Sequence, residues 1–142
     1  MILYLGTSSL VKLFCDEEPY SDLVREWVSE AEIVATCRIA YTEIISALDV
    51  RFRNHDISKD DYTIIVKEFS KDWPNFLTVD FDEIDAGRLV KKYMLRRFDA
   101  IHLSAAKLIK KEHKELRLSF SSVDETLCRA AAAEGLRVLT FS

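Results

Sequence analysis

Short, mostly apolar runs alternate with segments of helical period along the whole chain. Residues 1–5, 33–36, 76–79, 116–120 and 138–141 read as strands. A strand that is apolar on both sides needs cover on both faces, which is the pattern of a parallel sheet. Helices fill the intervals at 10–14, 21–31, 39–53, from 58 onward, 82–95, 99–111 and 124–133. Their signals are local. Ala40, Ile44, Ala47, Leu48 and Phe52 recur as one stripe. Ser58 with Asp61, and Ser122 with Glu125, imitate capping boxes. Gly135 suits a helix C-terminus. The expected fold is α/β, a three-layer α/β/α sandwich with a central parallel sheet. No Gly-, Ser- or Pro-rich linker interrupts the chain, which predicts one domain over residues 1–142.

Composition removes several classes of function. A chain of 142 residues buries about two-thirds of its unfolded surface, enough for an ordinary core. The three cysteines, Cys15, Cys37 and Cys128, are widely spaced and form no C-x-x-C pair, so thiolate metal sites have no support. Gly6, Gly87 and Gly135 are the only glycines, and neither a P-loop nor a dinucleotide fingerprint can be built from them. His55, His102 and His113 lack metal-ligand spacing, and His102 reads as a half-buried packing residue beside Ala105 and Ala106. No apolar run approaches the ~18 residues of a membrane span, and residues 1–5 lack the basic flank of a signal peptide. A cytoplasmic location is the expectation. The net charge of −4 conceals an asymmetry: segment 88–114 carries nine basic residues against Asp99 and Glu112, leaving −11 on the remainder. One basic segment on an acidic chain points to a polyanion contact.

In parallel α/β sheets, function gathers beyond the carboxyl ends of the strands. Three acids stand there: Glu43 after the second strand, Asp99 after Arg96-Arg97, and Asp124 after the fourth strand. An Asp at a helix start also serves as a cap, and Glu43 also fits a solvated helix face. Converging at one sheet edge, the three would form a site for a hard cation, since Mg²⁺ or Mn²⁺ takes a few carboxylates and several waters. Segment 16–32 is strongly acidic. With Phe14, Tyr20 and Trp27 beside it, an apolar groove for a basic, amphipathic partner is expected.

The quoted motifs resemble the PIN-domain superfamily, in particular VapC-type toxins of toxin–antitoxin pairs. The likeness covers essentially the whole chain. It rests on the opening Ile-Leu-Tyr-Leu-x-Thr-Ser-Ser-Leu-Val-Lys-Leu, on Tyr-Thr-Glu-Ile around Glu43, on Arg-Phe-Asp-Ala-Ile-His-Leu-Ser-Ala-Ala around Asp99, and on Phe-Ser-Ser-Val-Asp at Asp124. The resemblance implies a metal-dependent ribonuclease using Mg²⁺ or Mn²⁺. Glu43, Asp99 and Asp124 would be the catalytic and metal-binding acids, Ser8 and Ser122 supporting hydroxyls, and Arg96 and Arg97 contacts to RNA. It also implies a cognate antitoxin and a homodimer. One position departs: Gly6 stands where the family carries its first acid. Loss of that ligand implies a weakened or inactive nuclease. The alternative is a non-catalytic protein that binds RNA or antitoxin. Read without the resemblance, Gly6 is a strand-to-helix turn glycine.

Overall fold

All five expected strands form, and every pairing between them is parallel. The computed structural model describes residues 1–141. Its strands are β1 (Ile2–Leu5), β2 (Ile33–Cys37), β3 (Leu77–Val79), β4 (Leu118–Ser121) and β5 (Arg137–Leu139). They lie side by side in the order β3-β2-β1-β4-β5. The chain steps outward from β1 to β3, then returns to the other side of β1. Connections therefore leave β1 and β4 in opposite directions, and a crevice opens between their carboxyl ends.

Successive side chains of a strand face opposite sides of the sheet, and β1 divides two half-cores accordingly. Ile2 and Tyr4 pack with α5 (Glu83–Tyr93), α6 (Arg97–Glu112) and α7 (Glu125–Ala133). Leu3 and Leu5 pack with α1 (Thr7–Phe14), α2 (Ser21–Glu30), α3 (Ala40–Arg53) and α4 (Lys59–Asp72). The three-layer α/β/α sandwich is as expected, and β1, at most 1% exposed, is its centre.

Differences from the expected elements are local. The Ser58 cap forms, accepting from the Asp61 N–H at 3.0 Å. At α7 the cap falls two residues later than expected. Asp124 accepts from the Leu127 N–H at 2.9 Å, while Ser122 Oγ accepts from the Asp124 N–H at 3.1 Å. The last strand ends at Leu139 rather than at residue 141. Phe141 turns to the helices and packs on Tyr20 and Trp27, with ring centroids 5.5 and 5.1 Å apart. Phe14 meets Phe69 and Phe76, and Phe14, Trp27 and Phe141 all pack against the same half-core.

Glu134 ties the ends of α5, α6 and α7 together. Its carboxylate, 9% exposed, meets Arg88 at 2.8 Å, Lys107 at 2.9 Å and Lys92 at 3.3 Å. It also accepts from the Tyr93 hydroxyl at 2.5 Å. Burial alone would raise its pKa, but the hydrogen bonds from Tyr93, Lys107 and Arg88 outweigh burial and hold it well below the usual carboxylate range. A depressed folded pKa contributes stability above the ordinary value of about 4.3 and loses it as pH falls through the folded value. Glu134→Gln is thus expected to lower stability by about 1–3 kcal/mol at pH 7, with the gap narrowing below pH about 4. Urea unfolding at both pH values checks this, and equal stability at pH 7 would contradict it.

Candidate active site

At the β1/β4 crevice lies a cavity of about 960 Å³, lined by Gly6, Thr7, Ser8, Glu43, Asp99, His102, Ser122 and Asp124, with Arg96 and Arg97 at its edge. Every residue singled out as a site candidate reaches this one cavity. Asp99 lies in the first turn of α6 and Asp124 caps α7, so the loop after β4 and the start of α6 bring them to the same wall.

Arg96 spans the two aspartates, 3.4 Å from Asp99 Oδ2 and 3.0 Å from Asp124 Oδ2. Burial and the nearby Asp124 charge raise the Asp99 pKa, and Arg96 only partly offsets them. The Leu127 N–H lowers the Asp124 pKa, and Arg96 adds to this against a modest burial effect. The pair is therefore short of positive charge. Arg96 is 80% exposed, and such a solvated ion pair holds by less than about 1 kcal/mol, so the guanidinium is free to swing out.

Glu43 sits in the first turn of α3. Its Oε1 accepts from Thr7 Oγ1 at 2.7 Å and lies 2.7 Å from His102 Nε2. On the far side of the ring, His102 Nδ1 is 2.6 Å from the Tyr4 hydroxyl. Burial pushes the Glu43 pKa up, but the hydrogen bonds from His102 and Thr7 work against it, and the pKa lies below its usual value. His102 is 2% exposed. The half-buried packing role expected for it is corrected: it is buried and bonded at both ring nitrogens. Thr7 was also missed. A histidine between small helix residues, with no room for water, has to find polar partners; that was the available signal.

The serines fasten the wall. Ser8 Oγ accepts from the Val123 N–H at 3.0 Å and lies 3.4 Å from Ser122 Oγ. Behind them Ser9 Oγ meets Ser121 Oγ at 2.8 Å. Gly6 has φ −67 and ψ 164, ordinary extended backbone. A Cβ there would stand 3.4 Å from Ser121 O and 3.7 Å from Ser122 Cβ, within normal contact. Gly6 stands at the strand-to-helix turn as N-cap of α1, and neither conformation nor space there requires glycine.

The basic segment 88–114 does not face the cavity as a whole. Arg88, Lys92 and Lys107 are paired with Glu134, and Lys110 donates to the Gly135 carbonyl. Arg96 and Arg97 are the members that line the site.

Among the described residues, no three of His, Cys, Asp and Glu stand together as a finished metal-ligand set. Mg²⁺ keeps several waters and needs only one or two carboxylates. Asp99 and Asp124 are such a pair, already drawn around one cationic group, with hydroxyl oxygens beside them. The donor set fits a hard divalent cation.

Comparison with known proteins identifies the family. The chain is 29% identical over 113 residues to Ribonuclease VapC45 of Mycobacterium tuberculosis (strain CDC 1551 / Oshkosh), covering 74% of each chain. Ribonuclease VapC49 of strain ATCC 25618 / H37Rv matches to the same extent. Among solved structures, VapBC2 from Rickettsia felis, bound to a DNA fragment from their promoter, superposes with a TM-score of 0.66 at 14% identity over 100% of both chains. PAE2754 from Pyrobaculum aerophilum gives a TM-score of 0.66 at 15% identity over 97% of this chain and 89% of that one. The sequence profile of the PIN domain matches residues 3–141, and the chain belongs to the PIN domain family.

Proposed function

We propose that this chain is a metal-dependent endoribonuclease, the toxin of a toxin–antitoxin pair, weakened by Gly6. The observation that carries the reading is the Asp99–Asp124 pair, held by one guanidinium in the cavity that also receives Glu43. The ribonuclease relatives support the reaction class. The likeness to VapBC2 and to FitAcB of Neisseria gonorrhoeae (TM-score 0.63, 15% identity, 99% of this chain and 97% of that one) supports an antitoxin partner. A homodimer belongs to the same proposal, and light scattering that finds a monomer at high concentration would remove it.

Asp99 and Asp124 would hold Mg²⁺ or Mn²⁺, with Glu43 completing the acidic wall. When bound, the ion lowers the pKa of water and neutralises charge on a phosphate. The chain's own residues do the rest. Arg96 leaves the aspartates and, with Arg97, takes phosphate oxygens of the RNA backbone. Glu43, fixed through Oε1, offers its second oxygen to a water in the cavity. Ser8 and Ser122 hold the loop that carries Asp124.

The absence of a ligand atom at Gly6 favours the second reading, a PIN-like protein that binds RNA or antitoxin without turnover. Single-turnover incubation with a mixed RNA pool, with Mg²⁺ or Mn²⁺ and with chelator, separates the two. The nuclease reading expects slow, chelator-sensitive cleavage that speeds up in Gly6→Asp. RNA binding without cleavage in either form would favour the second.

A further inference from the structure

We propose that Tyr4 and His102 form a positioning pair that aims the Glu43 carboxylate into the cavity. The inference rests on Glu43 being a residue of the proposed site. Tyr4 lies in the central strand and is fully buried, its ring stacked on Phe120 with centroids 5.4 Å apart. A phenylalanine would pack there equally well, without a hydroxyl to desolvate. Likewise, His102 is 2% exposed on a helix face next to Leu103, Ala105 and Ala106, where an apolar side chain would avoid burying two ring nitrogens. Leaving such groups unpaired in the interior is costly. The Tyr4 hydroxyl meets His102, and His102 in turn meets Glu43 and, at 3.1 Å, Thr7 Oγ1.

The chain of bonds has a direction. The Glu43 carboxylate can only accept, so a neutral ring turns its N–H to Glu43 and leaves Nδ1 to accept from the Tyr4 hydroxyl at 2.6 Å. With Nδ1 accepting, the ring proton sits on Nε2, which donates to Glu43 Oε1 at 2.7 Å. Thr7 Oγ1 donates to the same oxygen at 2.7 Å. Two donors on Oε1 fix the rotation of the carboxylate about its last bond. Oε2 has no hydrogen bond to another described residue and remains for the cavity. A carboxylate without this backing would sample several orientations and lose the entropy on binding. The pair touches neither substrate nor ion; it acts through Glu43, as an outer partner orients a ligand.

The test is the affinity for Mn²⁺ alone, read by electron paramagnetic resonance, in the chain as it stands and in its Gly6→Asp form. Thermal melting accompanies each variant. His102→Leu is expected to weaken Mn²⁺ binding roughly ten- to hundredfold, the range for an outer partner. Tyr4→Phe, which keeps the ring stacking, should weaken it less. His102→Gln, which restores a donor to Glu43, should recover part of the loss. Nitrogen-15 shifts should show His102 as the Nε2–H tautomer, with that preference lost in Tyr4→Phe. Unchanged affinity in His102→Leu and Tyr4→Phe, in a protein that Glu43→Gln does weaken, overturns the positioning pair and leaves the proposed function standing. An Nδ1–H tautomer overturns it as well. Mn²⁺ binding indifferent to Glu43→Gln, or absent from both forms, removes the site reading of Glu43 and the proposal with it.

Discussion

Gly6→Asp is expected to raise single-turnover RNA cleavage by roughly a hundredfold or more, several kcal/mol of transition-state stabilisation. The backbone at position 6 is extended, and a Cβ there meets only ordinary contacts beside Ser121 and Ser122. The new carboxylate would therefore enter at the β1/β4 crevice, on the same wall as Asp124. It would also stand at the N-cap of α1, which lacks a side-chain cap; against glycine that contributes only a few tenths of a kcal/mol. A third negative charge beside Asp99 and Asp124 works against this gain. Without metal, the two forms should melt at similar temperatures. With excess Mn²⁺, the Gly6→Asp form should gain about 2.7 kcal/mol at one hundred times its dissociation constant. Equal cleavage rates in the two forms would show that position 6 carries no chemistry.

Asp99→Asn, made in the Gly6→Asp form, should return cleavage to background, a loss of roughly a hundredfold or more. The same change should stabilise the fold at neutral pH. Burial and Asp124 raise the Asp99 pKa, and Arg96 does not compensate fully. For a raised pKa, the contribution to stability is complete below the unfolded value of about 3.9 and is lost as pH rises through the folded value. Removing the charge restores that stability at pH 7 and changes little near pH 4. Melting at the two pH values checks the sign, and a lower midpoint for Asp99→Asn at pH 7 would refute it. Activity and stability would then oppose one another at one residue, as expected where like charges are held together for a cation.

The layered architecture was legible because strands covered on both faces are mostly apolar, as β1 and β2 are, while β4 buries Ser119 and Ser121 beside Leu118 and Phe120. The strand order was not. Nothing local in residues 116–121 says that β4 pairs with β1 rather than with β3. Glu43 and Asp124 were legible because each follows a strand, whereas Asp99 follows α5 and is brought to the same cavity by the start of α6. At Asp124 a serine two residues earlier looked like the cap. The aspartate caps instead, because Ser122 Oγ is turned to the Asp124 N–H. His102 was misread for a similar reason. Its partners, Tyr4 and Glu43, lie 98 and 59 residues away in sequence, and helical period alone shows only its alanine neighbours. The basic segment misled in the other direction. Its charges share a stretch of sequence, but α5 and α6 direct several of them to Glu134, at the opposite end of α7 from Asp124. Phe141, expected in a strand, lies beyond β5 and packs on Tyr20 and Trp27.

Direct titration with Mn²⁺, followed by loss of the free-ion resonance signal, bears most closely on whether this cavity is a cation site short of one acid. Binding should be weak in the chain as it stands, tighten at least tenfold in Gly6→Asp, and disappear in Asp99→Asn and Asp124→Asn. Equal affinity across the four proteins, or binding that survives loss of both aspartates, would place the ion elsewhere and contradict the site.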